Sequence, residues 1–369
     1  MTVIEFLYYL GYLFKKSRAL RKQKKLPCRV ISIGNITLGG TGKSPATIAL
    51  AREAMERGFR PCILTRGYKG SVKGPTFVSK GKGPLLTLRQ AGDEASLLSE
   101  KLRDVPIVKG GDRYEAGMFA LRFLESTHSP DLFILDDGFQ HWGLYRNKNV
   151  LLIDSTNPFG NRKLFPLGIL REPIGGIKRA DIIVLTRVAN IEHSDSLNQR
   201  LGDNSSLLSS GGLLPGRRIC EGILKQGSDV IELLDEISRY TIKTPVFFAE
   251  HRPSSLRLTT EETLPLEWAK NKRFFGFCGI GNNESFRKTL LSLDLELTGF
   301  RAFRDHHAYR QNDIREILKL AKKSKAEWIV TTEKDIMRLK DFNMPENLVS
   351  LVIEFYIDKK FFEEVFRPE

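Results

Sequence analysis

Short apolar runs recur along this chain, bounded by glycine, proline or charged residues, and several are followed by stretches of helical spacing. RVISI at 29–33 has the length and β-branched content of a buried strand, 34–44 is a glycine-rich turn, and 46–57 reads as a helix ended near Gly58. Further strands are predicted at 61–65, 106–108, 132–135, 150–153 and 182–185, with helices at 94–103 and 113–125 between some of them. A second series places strands near 182–185, 245–248, 273–278, 297–300, 327–331 and 350–355, and 201–215 reads as a loop within it. Alternating strand and helix predicts an α/β fold with a mostly parallel sheet covered on both faces. No internal repeat interrupts the pattern.

The first 25 residues break from it. VIEFLYYLGYLF at 3–14 carries one charge, Glu5, and the next eleven residues carry Lys15, Lys16, Arg18, Arg21, Lys22, Lys24 and Lys25 with no acid among them. The apolar run is shorter than the ~20 residues a helix needs to span a bilayer. The cations follow the apolar stretch and no small-residue cleavage site appears, which argues against a secretory signal. An aromatic-rich apolar helix with a basic flank fits one lying in a membrane interface, because its apolar residues are not confined to one stripe. An ordinary core-packing helix with a solvated basic end is the alternative.

Length and charge refine the picture. A chain of 369 residues exceeds the usual size of one hydrophobic core. The stretch 155–179 is rich in Gly, Pro and Arg, and a hinge at 161–180 divides a domain at 26–160 from a second α/β domain at 181–369, with 1–25 as the surface helix. Lys and Arg number 58 against 44 Asp and Glu, a net charge of +14 that favours an anionic partner without choosing among nucleic acid, acidic membrane and phosphorylated substrate. Cys28, Cys62, Cys220 and Cys278 are scattered with no CxxC pair, the pattern of reduced structural thiols.

The turn between the first strand and helix carries specific chemistry. Thr37-Leu38-Gly39-Gly40-Thr41-Gly42-Lys43-Ser44 stands where a Walker A loop must lie, with Thr37 in place of its first glycine. Small residues (Gly39, Gly40, Thr41, Gly42) let backbone N–H groups converge on phosphate oxygens at a helix N-terminus. Lys43 then serves the β- and γ-phosphates of a nucleotide, and the Ser44 hydroxyl ligates magnesium. The apolar strand at 132–135 ends in Asp136-Asp137-Gly138, an acid pair at the carboxyl end of a parallel strand. That is the Walker B position, where one of the two faces the metal directly or through water. A simple DDG turn is the plain alternative.

Together, several segments resemble the tetraacyldisaccharide 4'-kinase family, the lipid A 4'-kinases of Gram-negative bacteria. They are SIGNITLGGTGKSP (32–45), LTRGYKG (64–70), AGDEA (91–95), DDGFQHWGLYRNKNVLLID (136–154), LGILREP (167–173), RAD (179–181), FCGIGNNESF (277–286), FRDHHAY (303–309) and TTEKD (331–335). The resemblance implies a P-loop NTPase-like parallel sheet sandwich with a second, smaller α/β domain, on the cytoplasmic face of the inner membrane. It also implies transfer of the ATP γ-phosphate, with Mg2+, to the 4'-hydroxyl of lipid A disaccharide 1-phosphate, and no nucleic-acid partner. Asp93 matches the family's proposed base and His306 the residue thought to tune it. Arg171 and Glu172 match residues near the phosphates and metal, so the implied metal set is Ser44, Asp136, Asp137 and Glu172. His141 either reaches a lipid phosphate or caps its turn. Trp142 departs from the family, which usually has a basic residue there.

The chemistry of a sugar hydroxyl agrees, since its high pKa calls for a carboxylate to orient it and accept its proton late in transfer. A targeting or assembly GTPase needs an Asn/Thr-Lys-x-Asp motif, and Thr332-Glu333-Lys334-Asp335 has the wrong spacing. A basic nucleic-acid-binding ATPase lacks any accompanying RNP, zinc or helix-turn-helix signature.

Overall fold

The protein is described by a computed structural model that covers residues 2–125, 129–188 and 228–368. The loop expected at 201–215 and Cys220 lie outside the described residues. In chain order the first elements are α1 (Val3–Arg21), β1 (Arg29–Gly34), α2 (Lys43–Glu56), β2 (Pro61–Thr65), β3 (Thr76–Lys80), α3 (Leu88–Ala91), α4 (Asp93–Lys101) and β4 (Pro106–Lys109). Next come α5 (Arg113–Phe123), β5 (Leu132–Asp136), β6 (Lys148–Asp154), β7 (Ile182–Thr186), α6 (Ser228–Ser238), β8 (Val246–Leu258), β9 (Thr263–Pro265) and β10 (Arg273–Cys278). The last are α7 (Asn283–Leu291), β11 (Glu296–Ala302), α8 (Gln311–Lys323), β12 (Trp328–Thr332), α9 (Glu333–Leu339), β13 (Leu348–Ile357) and α10 (Lys359–Phe366).

These elements form two compact units, neither continuous in sequence. The first comprises 1–64, 112–251 and 355–369, and the second 65–111 and 252–354. This division differs from the linear one expected at 26–160 and 181–369, because β8 and β13 each run from one unit into the other. Nor does the stretch 161–180 lie at a boundary between units. It belongs wholly to the first, where Leu164, Leu170 and Ile177 are part of the core. Its glycines and prolines shape an irregular, packed segment.

In the first unit the strands run in the order β8–β7–β6–β1–β5–β2, all parallel, with Ile31 opposite Ile134, Val150 opposite Ile182 and Ile183 opposite Val246. Every residue of β2, β5 and β7 is buried. A parallel strand covered on both faces has no solvent side, which is why these segments read as unbroken apolar runs. α1 begins at a capping box in which Thr2 and Glu5 satisfy each other's backbone donors. Among the described residues no helix is long and apolar enough to cross a membrane.

The second unit carries parallel strands in the order β11–β10–β12–β13, an antiparallel β3–β4 pair and an antiparallel β8–β9 pair. Phe277, Ile314, Ile317 and Ile329 fill one core cluster, and Phe274, Leu290, Val330 and Val349 another.

One close approach fixes the geometry at the end of β1. A Cβ on Gly34 would stand 2.7 Å from both N and Cβ of Phe139, so only glycine lets the turn after β5 sit against β1. Gly34→Ala is therefore expected to destabilise the protein by roughly 1–3 kcal/mol through overpacking. A lower midpoint in urea unfolding checks this.

Candidate active site

The phosphate loop joins β1 to α2 and takes its shape from backbone chemistry. Gly39 and Gly42 both hold positive φ, at 111° and 87°, conformations that side-chain-bearing residues rarely adopt. A Cβ on Gly42 would also run into the His251 imidazole. Gly42 stands at the N-cap of α2 without a side-chain hydrogen bond, so no side chain caps the helix start. Thr186 Oγ1 donates to the Thr41 carbonyl at 3.2 Å and Arg187 Nη2 to the Gly40 carbonyl at 2.7 Å, tying the loop to the end of β7.

Lys43 and Ser44 are both buried at the start of α2. Lys43 Nζ donates to Asn35 Oδ1 at 3.3 Å and lies 3.8 Å from Asp137 Oδ1. Asp137 follows β5 with φ at 52°, which turns its carboxylate toward two cations, Lys43 and Arg171. Arg171 Nη1 donates to Asp137 Oδ1 at 2.9 Å and Oδ2 at 2.8 Å. Burial pushes the Asp137 carboxyl up, and Lys43 and Arg171 outweigh it, holding it down to about 2. Asp136 is almost wholly buried at the end of β5, and its Oδ1 accepts from Thr47 Oγ1 at 3.3 Å.

Glu172, expected near the metal, sits among protein donors. It is fully buried, and its oxygens accept from Gln140 at 2.7 Å, Arg179 at 2.8–2.9 Å and Tyr12 at 3.1 Å. These donors fix the carboxylate, which braces the segment that carries Arg171. His141 also has a protein partner, its Nε2 accepting the Arg113 backbone N–H at 3.3 Å at the start of α5. Burial, helped by Arg113, lowers its pKa to about 4, so the imidazole is neutral near pH 7. Trp142 is buried and meets Tyr12 edge-on at 5.4 Å, so the position that departs from the family pattern serves as a contact for α1.

The second unit holds the other expected pair. His306, itself at φ 55°, places Nδ1 2.9 Å from Asp93 Oδ2 at the start of α4. Arg338 on α9, which sequence reasoning missed, donates to the same oxygen from Nε at 2.8 Å and from Nη2 at 2.5 Å. Burial pushes the Asp93 carboxyl up, but the His306 hydrogen bond and the Arg338 charge prevail and hold it down to about 2. Asn35, Gln140, Arg179 and Asp335 were missed as well. Arg338 had a legible signal, since it lies three residues after Asp335 on a helix opened by the TTEKD segment.

The residues of the loop fit a nucleoside triphosphate. Among the described residues Thr41 Oγ1 is buried without a hydrogen-bond partner and the start of α2 has no side-chain cap, and Lys43 faces the same turn. Among the described residues no cluster of three or more His, Cys, Asp or Glu could hold a metal by protein groups alone. Ser44 and the Asp136–Asp137 pair supply the hard oxygens that suit magnesium, an ion that takes few protein ligands and is completed by substrate phosphates.

The family model described as LpxK: Tetraacyldisaccharide-1-P 4'-kinase matches residues 1–368. The chain is 36% identical over 345 residues to a tetraacyldisaccharide 4'-kinase of Syntrophus aciditrophicus, covering 92% of this chain and 83% of that protein. It is 33% identical to one from Halothermothrix orenii, covering 92% and 82%. A crystal structure described as the "apo" form of LpxK from Aquifex aeolicus in complex with ATP aligns with a TM-score of 0.68 at 29% identity, over 99% of this chain and 96% of that one. This chain belongs to the tetraacyldisaccharide 4'-kinase family.

Proposed function

We propose that this protein transfers the γ-phosphate of ATP to the 4'-hydroxyl of tetraacyldisaccharide 1-phosphate at a membrane surface, a step in making lipid A. The observation that carries the reading is that a whole-chain family match coincides with a phosphate loop whose lysine and Arg171 converge on one acid, Asp137.

In the transfer, the 4'-oxygen forms a bond to the γ-phosphorus as the bond to the β–γ bridging oxygen breaks, and ADP leaves. Lys43 and the loop amides take up the charge that develops on the phosphoryl oxygens. Arg171 holds Asp137 in place beside Lys43. Ser44 and the Asp136–Asp137 pair would hold magnesium, which when bound would neutralise phosphate charge. Asp93 orients the hydroxyl and accepts its proton. As a carboxylate held near pKa 2 it is a weak base in the resting state, so the proton moves late, once the forming O–P bond has made the hydroxyl acidic. His306 Nδ1–H donates to that carboxylate and fixes its orientation.

The membrane reading rests on α1. Val3, Ile4, Phe6, Leu7, Leu10 and Phe14 are exposed, and the basic run at 15–25 follows directly. Apolar side chains next to cations favour an anionic lipid surface over nucleic acid, which would call for stacking aromatics interleaved with the charge.

Lys43→Ala should lower kcat by about 10²–10³-fold, measured as transfer of labelled γ-phosphate to the lipid in detergent micelles. Turnover near wild type at saturating ATP would sink the loop assignment. Asp93→Asn keeps the side chain's shape, so a role confined to packing predicts near-wild-type turnover, whereas the base role predicts a loss of about 10²–10⁴-fold. Leu7→Asp combined with Phe14→Asp should weaken partitioning onto anionic vesicles roughly tenfold or more in a sedimentation assay. Unchanged partitioning would return α1 to a purely structural role. This pair is a cleaner probe than deleting the helix, because Tyr8 and Tyr12 donate to the Arg171 carbonyl and to Glu172.

A further inference from the structure

A cavity of about 460 Å³ lies in the second unit, lined from α4, α9, β8, β13 and the loop that follows α9. That volume is in the range of small-molecule sites. Leu97 of α4, Ile336 and Met337 of α9, and Phe342 and Met344 of the loop give it apolar walls. Protein interiors hold few voids larger than a water molecule, and an apolar void of this size costs stability. The two methionines are unbranched and polarizable, and adapt readily to the shape of an apolar occupant.

The charged groups around the cavity sort into pairs and one remainder. Lys101 of α4 pairs with Glu333 of α9, Lys340 of α9 with Glu100 of α4, and Glu261 with Arg103 at 3.3 Å. Each acid that lines the cavity is therefore neutralised by a cation. Arg257 of β8 is the cation left over. Among the described residues its guanidinium has no hydrogen-bond or ion-pair partner, and its Nε is shielded from solvent. The adjacent Ser350 Oγ donates to the Arg257 carbonyl at 3.4 Å and does not engage the guanidinium. A shielded donor without an acceptor is destabilising, so the site is incomplete as it stands.

We propose that this cavity binds a single-chain fatty carboxylate, its chain against Met337, Phe342 and Met344 and its head on the Arg257 guanidinium. A guanidinium fork matches a carboxylate in geometry and in charge. One uncompensated cation calls for one negative charge, whereas a phosphate monoester brings about −1.5 to −2 and would meet three acids that already have partners. An acyl chain belonging to a larger lipid would suit the apolar walls but bring no charge to Arg257. Asp93 begins α4 and Arg338 lies on α9, yet neither lines the cavity, and the inference does not rest on the kinase reading.

Calorimetric titration of the full-length protein tests this with three probes below their micelle concentrations: decanoate, its neutral counterpart decanol, and decyl phosphate. In wild type, decanoate should bind one-to-one and about tenfold or more tighter than decanol. Decyl phosphate should bind more weakly than decanoate. Arg257→Gln should bring decanoate down to the affinity of decanol and leave decanol unchanged. Met344→Trp, which fills the apolar space, should weaken both by about tenfold or more. Decanoate should also raise the thermal midpoint of wild type but not of Arg257→Gln, a readout that stands even if the tryptophan variant fails to fold. Decanol binding as tightly as decanoate would assign the cavity to a neutral chain and overturn the proposal. Tighter binding of decyl phosphate would overturn the carboxylate head. Saturable decanoate binding unaffected by Arg257→Gln would place the ligand elsewhere, on the exposed apolar side chains of α1, and no saturable binding would leave the cavity without this ligand. Either result would overturn the proposal while leaving the kinase reading untouched.

Discussion

The ion pair in which Arg171 Nη1 donates to both oxygens of Asp137 is the interaction around which the phosphate loop of the first unit is arranged. A carboxylate this close to the phosphate loop is costly to bury unless cations compensate it, and Lys43 and Arg171 do so. Once Arg171 must be there, the surrounding structure follows. Its backbone N–H donates to the Ile36 carbonyl at 2.8 Å, and Leu38 N–H donates to the Ile169 carbonyl at 2.6 Å, lacing the irregular segment to the loop. Its neighbour Glu172 is pinned by Gln140, which also donates to the Asn35 carbonyl at 2.7 Å. The loop, the turn after β5 and the segment at 167–173 are thus one hydrogen-bonded body, and the same short stretch that supplies the cation supplies the brace.

The second unit repeats the device with different parts. Arg338 stands to Asp93 as Arg171 stands to Asp137, a guanidinium that lets a half-buried acid stay ionised. In each case a second buried acid, Asp335 or Glu172, anchors the cationic side, and its remaining oxygen capacity is filled by hydroxyl, amide or guanidinium donors. An acid proposed to serve chemistry keeps some exposure, as Asp93 and Asp137 do. An acid that serves structure is saturated. That contrast, more than residue type, separates Asp93 from Asp335 and Asp137 from Glu172.

It also explains what the sequence could and could not disclose. The phosphate loop was legible because its function lies in the backbone, and a backbone that must hold positive φ writes itself as glycine at 39 and 42. The parallel strands were legible because burial on both faces leaves unbroken apolar runs, and most fall within a residue or two of the expected ranges. Nothing in LREP tells that Tyr12, 160 residues away in sequence, donates to Glu172. The stretch 161–180, expected as a hinge on its composition, falls within the first unit, and Gly and Pro mark a packed irregular segment as readily as a flexible one. The apolar spacing of Leu164, Leu170 and Ile177 was the better guide. Discontinuous units are harder still, because a strand that crosses from one to the other looks like any other strand.

The N-terminal helix shows the same logic turned inside out. Its inward face is Glu5, Tyr8, Tyr9, Tyr12, Lys16 and Ala19, a helical spacing made largely of residues with polar tips. Glu5 accepts the Leu164 N–H at 3.3 Å, Tyr8 donates to the Arg171 carbonyl at 2.8 Å, and Tyr12 donates to Glu172. The outward face is apolar, with Val3 75%, Leu7 62% and Phe14 70% exposed. With apolar residues outside and apolar rings carrying hydroxyls inside, the sequence shows no apolar stripe, although both faces are sharply defined. A helix that only packed against a core would have the opposite arrangement, and one that only lay on a lipid surface would have no reason to aim two tyrosines at the segment bearing Arg171. Holding the Arg171 segment from within and leaving apolar side chains outside are thus demands on one helix, met by opposite faces.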